Sequence, residues 1–238
     1  MNTFFDSVLS SLKLFAYFRN FKMKSIKGEI LMKLKIIFVA GPSGSGKSTF
    51  ADLLKATFPA DACDVVRLDD YYREHDDPLE THNYDVPEAY DFDQLVRDLQ
   101  ALRNGETTPR IHWDFREKKR LVSDVPLPEN DSVRVIVVEG LMALCVEEAR
   151  RLADLKVFID LEPEIGIIRR LSRDFEKKDR PGDPLEQFKR IERDVIPGNY
   201  KHVLPSRQFA DLVVYNGEYK NLVGAARMIV AAYSGGDA

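Results

Sequence analysis

Sulfur, tryptophan and long apolar runs are all scarce in this chain. Only two of the 238 residues are cysteine, Cys63 and Cys145. They stand far apart and in no metal-ligand spacing, which excludes a disulfide scaffold and a thiolate zinc site and fits a reducing, cytoplasmic setting. No segment approaches the roughly 20 consecutive apolar residues that cross a bilayer. Lys13 interrupts the N-terminal apolar stretch and no small-residue cleavage site follows it, which argues against a secretory signal. Net positive charge is missing as well, since the chain sums to −4. The deficit is uneven: residues 1–33 carry six basic and two acidic side chains, leaving −8 for the remainder. An acidic body excludes a broad nucleic-acid surface, so any cations used on phosphate must be gathered locally.

What is present is the balance of a soluble globular protein, 44% hydrophobic and 31% charged. Residues 1–33 differ from the rest, with Phe4, Phe5, Phe15, Tyr17, Phe18 and Phe21 set among lysines. They read as an N-terminal extension, disordered or loosely docked, or as sequence upstream of a true start at Met32. A membrane-surface amphipathic helix ranks below both. Residues 34–238 read as one domain. Leu34–Ala40 is a continuous apolar run of the kind buried on both faces of a parallel sheet. Further strands are expected at Val65–Leu68, Val133–Val138, Lys156–Ile159 and Leu212–Val214. Helices are expected at Lys47–Thr57, from a cap at Asp93 to Arg103, and near Glu164–Phe175, Leu185–Val195 and Lys220–Ala232. Thr108–Val122 reads as a β-hairpin. Strands alternating with helices imply an α/β fold with a parallel sheet of about five strands.

Between the first strand and the first helix stands Gly41-Pro42-Ser43-Gly44-Ser45-Gly46-Lys47-Ser48, which fits G-x-x-x-x-G-K-[ST] at every fixed position. Gly44 and Gly46 allow the tight turn that converges backbone N–H groups on phosphate oxygens. The helix that follows adds the positive end of its dipole. Lys47 can reach β- and γ-phosphates, and the Ser48 hydroxyl can face Mg²⁺. Strand before and helix after make this a triphosphate cradle in a P-loop NTPase fold rather than a chance glycine-rich turn.

The cradle alone does not fix the chemistry. No Asn-Lys-x-Asp run supports guanine specificity. The strand Val133–Val138 runs into Glu139, a carboxylate able to orient Mg²⁺ or its waters; the plain alternative is a loop cap. Asp69 and Asp70 end another strand, where one carboxylate could take the proton of an attacking hydroxyl; the plain alternative is a solvated turn. Arg169, Arg170 and Arg173, followed by Lys177, Lys178 and Arg180, form the densest positive stretch and end at Pro181-Gly182. They suit a lid closing over a triphosphate, against the alternative of a solvated helix face paired with Glu176 and Asp179.

Together these pieces resemble the uridine kinase branch of the phosphoribulokinase/uridine kinase family. The resemblance runs through GPSGSGKST, LDDYYR at 68–73, NYDVPEAYDFDQL at 83–95, WDF at 113–115, VIVVEGLM at 135–142, RRLSRD at 169–174 and PSRQFADLVV at 205–214. It implies an ATP- and Mg²⁺-dependent kinase that phosphorylates the 5′-hydroxyl of a pyrimidine nucleoside, and it suggests a homo-oligomer. Gly41, Ser43, Gly44, Ser45, Gly46, Lys47, Ser48 and Thr49, with Arg173 and Arg180, would hold ATP. Asp69 would be the general base, acting with Lys47 and Arg173, and Ser48, Asp69 and Glu139 would face the metal. Asp85 would grip the ribose, beside Tyr72 and Arg170, and Phe115 would pack on the base unless it is plain hairpin core. Lys178 stands where an arginine is usual. The base-reading positions depart further: Trp113 replaces a tyrosine and Lys118 a histidine, leaving donors without acceptors. His112 is a candidate substitute. Another riboside or a sugar phosphate therefore stays open as acceptor, and a regulatory nucleotide binder without transfer activity remains the reading from another class.

Overall fold

The apolar run after Leu34 becomes strand β2, Lys35–Ala40, and its alternation explains the architecture. Ile36, Phe38 and Ala40 enter one buried cluster, while Ile37 and Val39 enter another on the opposite face. A strand covered on both sides has no polar face, hence the unbroken apolar pattern. In this computed structural model the described residues are 16–18, 34–78, 81–176 and 184–233.

The remaining strands are β1 (Ala16–Phe18), β3 (Cys63–Arg67), β4 (Thr108–Asp114), β5 (Lys119–Leu127), β6 (Val135–Glu139), β7 (Leu155–Asp160) and β8 (Leu212–Tyr215). The main sheet has the order β1-β8-β7-β2-β6-β3. Five of its strands are parallel, as expected; β1 adds antiparallel to β8, so a piece of the N-terminal extension lies on the sheet edge. Strands β4 and β5 form the separate hairpin. The carboxyl ends of β2, β3 and β6 lie side by side, with Val39 level with Glu139 and Glu139 level with Arg67. That edge is where an open α/β sheet presents ligand-binding side chains.

Helices Lys47–Thr57 and Tyr219–Tyr233 cover one face, burying Phe50, Leu54, Leu222 and Ala226. Helix Phe92–Arg103 covers the other, burying Leu95, Leu99 and Leu102 beside Leu127 and Trp113 of the hairpin. Each such apolar side chain contributes about 1.5–3 kcal/mol on burial.

Three sequence expectations change. The cap of helix Phe92–Arg103 is Asp91, whose Oδ1 accepts from Gln94 N at 3.1 Å. Asp93 lies in the first turn instead, because Phe92 is already needed in the core. The hairpin runs to Leu127, since Leu127 is a buried anchor at its base. The helix expected to stop at Val195 winds on from helix Pro184–Arg190 to Ser206. Pro197 and Pro205 should break it, having no N–H and crowding the preceding turn. Each follows a widened turn, closed by Ile196 N–H on Ile191 O and Leu204 N–H on Asn199 O, that spaces the ring away from the carbonyls behind it. Among the described residues no helix is long and apolar enough to cross a membrane.

Candidate active site

The phosphate loop is built from backbone. Gly44 (φ 74°) and Gly46 (φ 93°) both occupy the left-handed region. A Cβ on Gly44 would collide with the carbonyl of Gly166, and one on Gly46 with the Asn216 amide. Gly46 caps helix Lys47–Thr57 without any side-chain hydrogen bond, and the first turn holds no acidic residue. The helix N-terminus therefore keeps its free N–H groups and its partial positive charge. Asn216 Nδ2 donates to Ser45 O at 2.7 Å and fixes the loop from below. Ser45 is fully buried with its Oγ unpartnered. Ser43 and Lys47 are half-buried, while Ser48 and Thr49 are exposed at the mouth.

Lys47 donates to Pro42 O at 2.9 Å, curling back over the loop. Burial lowers its pKa, and the charges of Glu139 and Asp69 oppose that shift. These three groups, from the start of helix Lys47–Thr57, the end of β6 and the turn after β3, share one electrostatic site. Asp69 is exposed just beyond the end of β3, and its pKa is raised. Desolvation raises it to about 6, Glu139 adds to the rise and Lys47 opposes it. Glu139 is buried and held by Arg67 Nη1 at 2.8 Å, and Arg67 also pairs with Asp52 at 2.9 Å. Arg67 escaped the sequence reading, although its place one residue before Leu68-Asp69 could have flagged it. Asp70 is no solvated turn: its Oδ1 accepts from Trp113 N at 3.1 Å and its Oδ2 lies 3.7 Å from His112 Nδ1. Burial raises the Asp70 pKa against those two partners.

The arginine helix reaches the loop directly. Gly166, in the first turns of helix Pro163–Glu176, lies so close to Ser43 O that a side chain would strike it. That contact explains a glycine inside a helix, where it costs about 1 kcal/mol relative to alanine. One turn on, Arg170 Nη1 donates to Ser43 Oγ at 3.1 Å. The same guanidinium lies 3.9 Å from Asp85 Oδ1 and 3.7 Å from Asp174 Oδ2. Arg170 thus bridges the loop to the buried Asp85, whose pKa is raised by burial and lowered by Arg170 and Arg190. Gly198 packs against the backbone of Asp85 so closely that no Cβ fits. Neither Gly166 nor Gly198 stands out in the sequence, because each serves a contact with a distant segment. Arg173 is exposed and pairs with Asp174 at 3.2 Å. Lys177, Lys178 and Arg180 lie outside the described residues, so that part of the expected lid is not placed.

Within electrostatic reach of Asp69 stands a mostly buried wall of rings. Tyr72 stacks on Tyr90 at 4.4 Å and their hydroxyls share a 2.9 Å hydrogen bond. Tyr84, Trp113 and Phe115 meet Tyr72 edge-on at 4.7, 5.7 and 6.1 Å. Trp113 is buried with its Nε1–H unpartnered, whereas Phe115 is 42% exposed. Lys118 sits at the hairpin turn with φ 53° and donates to Asp77 O at 2.9 Å. His75 and His82 stack at 3.4 Å with their planes 3° apart. With Asp77 they bring ligand-type atoms within 4.8 Å of one another. Imidazole lone pairs lie in the ring plane, so two parallel rings cannot both aim at one ion; the stack is a packing device, not a metal site.

A triphosphate and a hard cation suit this site. The glycine cradle, the open helix N-terminus and the orphaned Ser45 hydroxyl match phosphate oxygens, and Ser48, Asp69 and Glu139 offer only oxygen donors.

Residues 36–222 match the model of the phosphoribulokinase / uridine kinase family. A uridine kinase of Clostridium novyi is 32% identical over 193 residues, 79% of this chain and 89% of the relative. One of Brevibacillus brevis is 33% identical over 192 residues, covering 79% and 87%. Among solved structures, D-glycerate 3-kinase from Cryptococcus neoformans superposes with a TM-score of 0.54 at 16% identity, covering 74% of this chain and 81% of that one, a likeness of fold.

Proposed function

The chain belongs to the phosphoribulokinase / uridine kinase family, and from that premise we propose that it transfers the γ-phosphoryl group of ATP to the 5′-hydroxyl of a pyrimidine nucleoside. The observation that carries this reading is the exposed Asp69 carboxylate, just beyond the end of β3, with Lys47 and Glu139 as its electrostatic neighbours. The loop N–H groups and Lys47 hold the triphosphate. Ser48, Asp69 and Glu139 would hold Mg²⁺, which would supply charge neutralisation to the phosphates. Arg67 fixes the Glu139 carboxylate for that role.

Asp85, buried and facing Arg170, suits the ribose hydroxyls. Asp69 takes the proton of the 5′-hydroxyl as its oxygen bonds to phosphorus and the bond to the β-phosphate oxygen breaks, leaving ADP. Arg170 and Arg173 offset charge on the group in transit. A pKa near the working pH is what general-base catalysis favours. The ring wall supports a nucleoside over a sugar phosphate, which has no flat face to stack.

A panel of uridine, cytidine, purine nucleosides, ribose and sugar phosphates, each with ATP and Mg²⁺, tests the reading by acceptor-dependent ADP release. Uridine or cytidine should give the largest stimulation. Release driven by a sugar phosphate and by no nucleoside would sink it.

A further inference from the structure

We propose that the cavity between the phosphate loop and the wide turns before Pro197 and Pro205 is a second ligand site, shaped for one small uncharged ring carrying an N–H or O–H donor. It goes beyond the kinase reading, because Lys47, Ser48, Asp69, Asp85 and Glu139 all stand outside its lining. The cavity measures about 150 Å³, room that in a protein interior accepts a ring the size of benzene. Three segments far apart in sequence wall it. Pro42 and Ser43 come from the loop, Pro163 and Ile167 from the first turns of helix Pro163–Glu176, and Val195 and Ile196 from the end of the first wide turn. The Ser43 hydroxyl is already engaged by Arg170, so what these six offer a guest is mostly hydrocarbon.

Asn199 supplies the polar point. It opens the second wide turn, Asn199–Val203, and is only 7% exposed. Its backbone oxygen is taken by Leu204 N–H, but its side-chain Oδ1 is buried without a partner among the described residues. A buried acceptor is costly to leave unpaired, and an orphan that lines a cavity is satisfied by what enters it. One water does not suit the space, since its share of liquid volume is about 30 Å³ and most of the cavity would stay empty. Single wide turns inside helices recur at functional sites, and here two of them put Val195, Ile196 and Asn199 on one wall. Glu164, the only charged residue of the described lining, stands exposed at the rim and turns anions away. An acceptor inside, apolar walls and a carboxylate at the rim together select an uncharged ring with a donor. Pro42 also accepts from Lys47 through its carbonyl, so a guest rests against the residue that positions that lysine.

Phenol is the probe, with toluene (the same size without the donor) and benzoate (the same ring with a negative charge) as controls. Each is titrated into the full-length protein, with and without saturating MgATP, and followed by saturation-transfer NMR. Phenol should bind saturably in both conditions and about three- to tenfold more tightly than toluene, and benzoate should not bind. Asn199→Leu, which keeps the volume, should remove the advantage of phenol over toluene. Ile196→Trp fills the cavity from an exposed position and should abolish binding of both; it tests the site even where Asn199→Leu does not fold. Displacement of phenol by MgATP would place it in the nucleotide cleft and overturn a separate site. Equal affinity for phenol and toluene, preference for benzoate, unchanged phenol binding in Ile196→Trp, or no saturable binding at all would each overturn it too.

Discussion

The phosphate side and the acceptor side of this cleft are built by opposite means. The phosphate side is backbone: left-handed glycines, an open helix N-terminus and an amide from Asn216 holding the turn. The acceptor side is side chain: a carboxylate just beyond β3, a hairpin, and rings from segments forty residues apart in sequence. Backbone recognition serves any nucleotide triphosphate, whereas selectivity between hydroxylated acceptors must come from shape and polar pattern. The two halves should therefore fail independently.

The sharpest separation is expected from Asp69→Asn. Loss of a general base typically costs about 10²–10⁴-fold in rate; kcat should fall by that order while MgATP binding persists. The same variant should melt higher at neutral pH. Asp69 holds its proton more tightly folded than unfolded, so stability declines as pH rises from the ordinary value of 3.8 to about 6 and the loss remains above it. Asparagine removes that loss. A lower melting temperature, or unchanged turnover, would contradict the assignment. Gly44→Ala attacks the other half, placing a Cβ at φ 74° against the Gly166 carbonyl. MgATP affinity should drop about tenfold or more, with the acceptor KM intact; equal damage to both would mean the halves are one unit.

A pH profile is the next probe. A base must be ionised, so acceptor kcat/KM should fall toward tenfold per pH unit below an inflection at or below about 6. A bound cation opposite Asp69 favours the carboxylate and moves that inflection down, never up. An inflection above 7 would point to a different base. The MgATP affinity of the loop, made of N–H groups that do not titrate, should be flatter over the same range.

What was legible in the sequence divides along the same line. The loop, the order of strands and the helices beside them follow local rules: an apolar run covered on two faces, glycines at fixed spacing, a cap near the start of a helix. Asp69 and Glu139 were legible because strands deliver their last residues to one edge. Arg67 on Glu139, 72 residues away, was not, nor was Arg170 on Ser43, 127 residues away. Gly166 and Gly198 look like ordinary helix-weakening residues until the segments they touch are known. His75 and His82 stack although seven positions apart, which no periodicity announces. The wide turns before Pro197 and Pro205 likewise answer to packing rather than propensity.

The mildest test falls on how the hairpin is hung. Asp64, buried on β3, accepts from Arg110 of β4 and from the backbone N–H of Glu129 just beyond β5, the latter at 3.0 Å. Lys55 adds its charge at 3.6 Å. One carboxylate therefore holds both ends of the hairpin while its far part carries Trp113 and Lys118. Asp64→Asn keeps the volume and one carbonyl acceptor but leaves Arg110 facing a neutral group. Weakening a buried hydrogen-bonded pair costs about 1–3 kcal/mol, and the strain should appear where the hairpin meets the acceptor. Acceptor KM should rise about three- to tenfold, and the KM for MgATP should hold, because the loop is fixed by β2, Gly166 and Asn216 instead. If both constants rise together, the hairpin and the phosphate loop share a support that neither half of the cleft reveals alone.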